Sequence, residues 1–169
     1  MSCMLYEQKR FREAAGGEFR PGGLGLTQEL ATACALAPGE RVLDLGCGVG
    51  STASFLAARY GVDAVGLDGS EAFIDEARER DHAVEWVLGR ADALPFPDAS
   101  FAAVFCECFL SLCDDPGHAL GEVRRVLALG GRLALSDMYL RDPGAGPPSP
   151  ELPAGSCLRA ALSLDETRT

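Results

Sequence analysis

One nine-residue stretch, Val42-Leu43-Asp44-Leu45-Gly46-Cys47-Gly48-Val49-Gly50, limits the folds open to this chain more than any other. An apolar run interrupted by one acid passes into alternate glycines, and residues 51–60 then read as a helix stopped by Gly61. The pattern predicts a strand over 41–45, a turn too tight for a Cβ, and a helix whose first N–H groups look back at the turn.

Similar units recur on either side. Residues 63–67 read as a second strand, followed by a charged helix capped by Ser70 and running to about residue 80. Residues 84–88, 101–105 and 132–136 read as strands three to five, the last entered through Gly130-Gly131. Pro116 suits the first turn of a helix ending near residue 127, and Leu94-Pro95-Phe96-Pro97 is a stiff loop. Upstream, residues 5–15 read as an amphipathic helix, 20–23 as a loop, and Thr27 as the N-cap of a helix running to about residue 37. Strands that alternate with helices predict an α/β fold: a doubly wound, Rossmann-like parallel sheet covered on both faces. The Pro/Gly-rich residues 142–153 read as an irregular linker. Ser163 and Glu166 have capping-box spacing just before the last residue, a helix start with little behind it, which suggests a truncated or unusually short protein.

The 169 residues suit one domain, and a net charge of −10 without a Lys/Arg cluster argues against a nucleic-acid partner. Seven scattered cysteines, with no secretory signal before them, point to free thiols in a reducing cytoplasm. No run reaches the length of a membrane span. Two histidines leave little for a histidine-based metal site, and none is expected; His82 reads as a surface residue, and His118, opening the helix after the Cys-rich loop, reads as a surface residue or else as a general base for an oxygen nucleophile.

The candidate site grows from the glycine turn. Dinucleotide enzymes use G-x-G-x-x-G, and Ser51 stands where its last glycine would be; the spacing here is D-x-G-x-G-x-G. A ligand with an amino-acid end, such as S-adenosylmethionine, presents an ammonium that Asp44 can stabilise and a carboxylate that the helix start favours. Asp68 closes the second strand about twenty residues on, where a carboxylate can accept from both ribose hydroxyls. Asp92, in Gly89-Arg90-Ala91-Asp92-Ala93 after the third strand, can accept from an adenine amino group while the Ala93 N–H serves a ring nitrogen. All three acids fall at carboxyl ends of strands, where open α/β sheets bind ligands.

These residues, VLDLGCGVG (42–50), VGLDGS (65–70), RADALPFPDASFAAVF (90–105) and EVRRVLALGGRLALSD (122–137), closely resemble the class I S-adenosylmethionine-dependent methyltransferases, in the branch that includes ubiquinone/menaquinone and arsenite methyltransferases. The resemblance implies a cofactor-binding core over 41–140, an N-terminal helical lid segment over 1–40, and a tail over 141–169. It implies that Gly46 and Gly48 lie against the methionyl part, with Asp44, Cys47 and Gly50 in the same turn. Asp68 and Gly69 then fall at the ribose, Asp92 and Ala93 at the adenine, and Cys106 beside them in the cofactor site. Glu107 and its neighbours would face the methyl group. Two departures stand out. Leu129 stands where the family usually has proline, and the family's sixth and seventh strands are not expected to form. Strand five would then be an exposed apolar edge, to be covered by a partner such as a second copy of the chain or by residues after Leu140, unless the chain is a fragment.

The acceptor is expected to be a small molecule. The loop Cys106-Glu107-Cys108-Phe109-Leu110-Ser111-Leu112-Cys113 lacks the Asn/Asp-Pro-Pro-aromatic motif of nucleic-acid amino methyltransferases. It resembles instead the arsenite enzymes, with Cys108 in the loop and Cys157 opening a C-x-x-A-A-L segment. Thiolates there would suit trivalent arsenic or another thiophilic centre; packing or pocket lining is the competing role for both. Quinone-type ring methylation and a non-catalytic cofactor-binding module docked through strand five remain the alternatives.

Overall fold

The computed structural model describes residues 20–140 and 161–163. Helix α1 (Gly23–Ala33) precedes strand β1 (Arg41–Leu45); then come α2 (Ser51–Tyr60), β2 (Asp63–Asp68), α3 (Glu71–Arg80), β3 (Glu85–Leu88) and β4 (Phe101–Glu107). A 3-10 turn (Leu110–Leu112), α4 (Pro116–Val126) and β5 (Leu127–Ser136) complete the main body. The five strands form one parallel sheet in the order β3-β2-β1-β4-β5. The order reverses between β1 and β4, and a ligand crevice opens at such a switch point, beyond the strands' carboxyl ends. Among the described residues nothing pairs with the outer edge of β5, where Leu133 and Leu135 are 38% and 41% exposed. A separate short parallel pair joins β6 (Tyr139–Leu140) to β7 (Leu162–Ser163).

Strand parity divides the core into two layers. Leu43, Leu45, Val65, Leu67, Val104 and Cys106 face α4, packing on Ala119, Val123 and Val126. Val42, Ala64, Trp86, Ala103 and Phe105 face the other way, against Ala31, Ala53, Leu56, Ile74 and Ala77 of α1, α2 and α3. The same two-residue period carries Asp44 and Glu107, at the ends of β1 and β4, onto the face covered by α1 and α2.

Several expected boundaries move. Helix α1 starts at Gly23, with Gly22 as a left-handed N-cap (φ 86°). Thr27 is therefore no cap: it lies mid-helix and fully buried, where a hydroxyl requires a partner. Strand β4 continues two residues past Phe105, because Cys106 and Glu107 keep pairing with Leu135 and Ser136. Strand β5 begins at Leu127, directly after α4, and a register irregularity between Phe101 and Ala103 absorbs the turn at Gly130 (φ 77°). Ser163, expected to cap a helix, belongs to β7 instead. The amphipathic stretch 5–15, the linker 142–153 and Glu166 lie outside the described residues.

The loop after β3 owes its shape to one side chain. Arg125 donates to the carbonyls of Leu94 (3.0 Å) and Phe96 (2.8 Å) and to Asp98 (2.9 Å), while Glu122 accepts from the Leu94 N–H (2.9 Å). The Arg125 guanidinium holds the Glu122 carboxyl down at about 2. Arg125→Ala leaves two carbonyls without their donor, and is expected to lower stability by about 1–3 kcal/mol in urea titration; an unchanged midpoint would contradict this.

Candidate functional site

The alternate glycines of the turn have different physical reasons to be glycine. At Gly46 (φ 76°) an added Cβ would stand 2.2 Å from the Phe109 ring, and at Gly50 (φ 87°) it would stand 2.2 Å from the Trp86 ring. Both are packed under aromatics. At Gly48 (φ 53°) nothing lies within 4 Å of that position, so the turn opens outward there. Gly50→Ala combines left-handed strain with overpacking and is expected to cost at least about 2 kcal/mol. Gly48→Ala meets only the strain, about 1 kcal/mol, but puts a methyl where a ligand would approach. Thermal melts of the two variants test this ranking, and a less stable Gly48→Ala would reverse it.

Asp68 ties the turn to the second strand. It is buried, and its carboxylate accepts the Gly48 N–H (2.9 Å) and the Ser70 N–H (2.9 Å). The Gly46 and Cys47 N–H groups donate to the Leu67 carbonyl (2.8 and 3.0 Å). The glycine turn and the end of β2 are thus one hydrogen-bonded unit. Beyond it lies an open cleft whose lining includes Gly69, Gly89, Arg90, Asp92, Phe109 and Cys113. Asp92 borders it, paired with Arg90 (Nε to Oδ1, 2.8 Å), which lowers its carboxyl below the usual range. The Ala93 N–H, expected to meet a ring nitrogen, donates to the Arg90 carbonyl (3.3 Å) in a local turn.

A second, drier cluster sits beside the start of α2. Glu107 accepts from the Thr52 hydroxyl (2.8 Å) and the Thr27 hydroxyl (3.1 Å to each oxygen), and Arg20 pairs with it at 3.3 Å. Arg20 also donates to the Thr27 hydroxyl. Asp44, buried on the same face, accepts the Ala53 N–H (3.1 Å). Burial, then the Glu107 charge, push its carboxyl up to about 7 against the opposing pull of Arg20.

The structure therefore brings together Asp44, Gly48 and Glu107 around the glycine turn, and joins Asp68 to it. Asp92 and Gly69 line the adjoining cleft. Cys106, expected in the cofactor site, has its side chain in the core layer under α4, because parity turns it away from Glu107; burial raises its thiol far above the usual range. The Cys47 thiol is likewise raised well above its ordinary value, by burial and then by Asp44 and Asp68. Cys108 sits in a left-handed turn (φ 51°), its N–H donating to the Ser136 carbonyl (2.7 Å). Cys157 lies outside the described residues. No group of three or more His, Cys, Asp or Glu side chains able to hold a metal occurs among the described residues.

Thr52 and the Thr27–Glu107 contact are not readable as site features, and Arg20 is readable only as part of the N-terminal segment that the family resemblance places as a lid. A threonine in an amphipathic helix carries no distinguishing mark; only the burial of its hydroxyl shows that it needs a polar partner.

The rim suits a sulfonium nucleoside in its chemistry: an unobstructed glycine backbone, a buried carboxylate one turn away, an open cleft beyond it, and carboxylates beside the turn to meet a cation. Comparison with known proteins agrees. The profile of a family described as methyltransferase domain matches residues 43–135. An O-methyltransferase, rstn1, of Aspergillus nomiae is 35% identical over 81% of this chain and 68% of its own length. The 27-O-demethylrifamycin SV methyltransferase of Amycolatopsis mediterranei is 36% identical over 83% of this chain and 55% of its own length. An arsenite methyltransferase of Halobacterium salinarum is 37% identical over 72% of this chain and 32% of its own length. Against most of these relatives the chain spans about half the length or less. Among solved structures, a putative methyltransferase of Bacillus halodurans superposes with a TM-score of 0.73 at 25% identity, covering 84% of this chain and 64% of that one. The [4+2]-cyclase SpnF superposes with a TM-score of 0.70 at 31% identity, covering 82% of this chain and 51% of that one.

Proposed function

The chain belongs to the methyltransferase-domain family, which uses S-adenosyl-L-methionine as methyl donor, and from that premise we propose that it transfers a methyl group to a small-molecule acceptor. The observation that carries the proposal is the Gly48–Asp68 hydrogen bond at an open turn, next to the cleft bordered by Gly69 and Asp92.

The bound cofactor supplies an electrophilic methyl group on a positively charged sulfur. Asp68 would take the ribose hydroxyls, the cleft by Asp92 the adenine, and the open face of Gly48 the methionyl chain. Glu107, and Asp44 when ionised, place negative charge beside the turn, where it favours a cationic ligand. The leaving group is already good, so the chain's contribution is to orient donor and acceptor and to exclude water.

Among acceptors, a hydroxyl-bearing small molecule is favoured. Two of the relatives are O-methyltransferases by name or by their substrate. A thiophilic centre such as arsenite needs thiolates, and burial pushes the Cys106 thiol up and that of Cys113 up to about 11. Cys108, at the rim, with Cys157 is the pair on which the arsenite reading depends. A panel of acceptors with methyl-labelled cofactor separates these. The expected result is label on a hydroxyl acceptor, undiminished in Cys108→Ser; arsenite-dependent label lost in Cys108→Ser would establish the soft-centre reading instead. Cofactor binding with no label on any acceptor would favour the non-catalytic module, for which the exposed Leu133 and Leu135 of β5 offer a face to a second copy.

A further inference from the structure

We propose that the outer edge of β5 pairs with itself: two copies of the chain join antiparallel along residues 132–136, about a two-fold axis at Ala134, into one continuous sheet. This contact does not depend on what the rim binds. Three observations carry it.

The first is the backbone. Among the described residues, 132–136 pair with β4 on one side and with nothing on the other. Alternate residues of a ladder strand turn both peptide groups to the same side. The Ser136 carbonyl accepts from the Cys108 N–H, directly after β4 (2.7 Å). Arg132, Ala134 and Ser136 therefore face β4, and the N–H and C=O groups of Leu133 and Leu135 point to the free edge. Edge strands are commonly guarded by charge or proline, and Leu133-Ala134-Leu135 has neither. The second is the side chains. Of the large apolar side chains exposed among the described residues, all except Leu88 lie on β5 or at its exit: Leu129, Leu133, Leu135 and Tyr139. Leu129 and Leu133 also line an apolar groove between β5 and α4. Antiparallel pairing points Tyr139 of one copy toward the groove of the other, which adds apolar area to the ladder. The third is self-complementarity. An axis at Ala134 sets Leu133 opposite Leu135 of the second copy, and the reverse, as a symmetric contact requires. No other centre gives both leucines a leucine partner. These are the residues with outward peptide groups, so each opposed pair exchanges both of its hydrogen bonds, and Ala134 meets itself at the non-bonded position between them. On the other face Arg132 stands opposite Ser136, so no like charges meet, although each copy carries a net charge of −10. Arg132 Nε and Ser136 Oγ are both buried atoms without a hydrogen-bond partner within one copy. The same axis turns the two carboxyl rims to opposite ends of the joined sheet, leaving both clefts open.

Sedimentation equilibrium of the full chain tests this, in reductant so that none of the seven cysteines can link copies. The wild type is expected to be a dimer that dissociates on dilution. Leu133→Lys combined with Leu135→Lys sets like charges opposite each other and is expected to weaken association by about 100-fold or more. Leu133→Glu combined with Leu135→Lys sets opposite charges face to face in this register, and is expected to recover at least about 10-fold of that loss. Circular dichroism checks the fold of each variant. A wild type that is monomeric at every concentration, or that grows past the dimer, would overturn the proposal. So would a like-charged variant that associates as the wild type does, or an opposite-charged variant no tighter than the like-charged one. Hydrogen exchange of the wild type gives a reading that needs no variant. The Leu133 and Leu135 amides should gain protection as the concentration rises, and exchange there that ignores concentration would also overturn it.

Discussion

Replacing Asp68 by asparagine is expected to lower the affinity for S-adenosylhomocysteine about 100-fold or more, from the loss of two charge-assisted hydrogen bonds to the ribose. A carboxylate offers about four acceptor sites, so holding two backbone donors and meeting two hydroxyls are compatible. The asparagine keeps the shape but turns one acceptor into a donor, which then confronts the N–H of either Gly48 or Ser70. Stability should fall too, by about 1–3 kcal/mol, since a buried donor is left unmatched. Calorimetric titration of the folded variant, beside its urea midpoint, checks both parts. Wild-type affinity in a folded Asp68→Asn would remove Asp68 from the site.

The second large effect is on stability and depends on pH. Asp44 titrates at about 7 in the fold against about 3.9 in an unfolded chain. A raised value means that the fold favours the protonated carboxyl. The stabilisation is present in full below about pH 4 and is lost as pH rises through about 7. The difference across that window is on the order of 4 kcal/mol. Asp44→Asn mimics the protonated form and can still accept the Ala53 N–H. In the absence of cofactor it should match the wild type near pH 4 and exceed it by several kcal/mol near pH 9. Urea midpoints across the range measure this, and parallel pH profiles for the two proteins would contradict it.

The fold was legible because its signals are local and agree with one another. The glycine turn with its flanking strand and helix, Ser70 as a cap and Pro116 at a helix start each predict one element, and the structure has Ser70 accepting the Phe73 N–H and Pro116 in the first turn of α4. The acids at strand ends were legible for the same reason: alternation and turn position fix which end of the sheet they occupy. What was not legible depends on distant contacts. Thr27 has the composition of an N-cap, and only its packing 80 positions from Glu107 shows otherwise. Cys106 and Glu107 are adjacent in the chain, yet strand parity sends them to opposite faces, one into core and one toward the site. The reasons behind Gly46 and Gly50 lie in Phe109 and Trp86, residues from later loops and strands that no local pattern connects to the turn.

A crystal structure of the chain with S-adenosylhomocysteine tests the account at its centre. The nucleoside should span the sheet's carboxyl rim, with its ribose on Asp68, its base in the cleft by Asp92 and its amino-acid end over Gly48. Ligand bound elsewhere, or a rim left without ligand at saturating concentration, would contradict it.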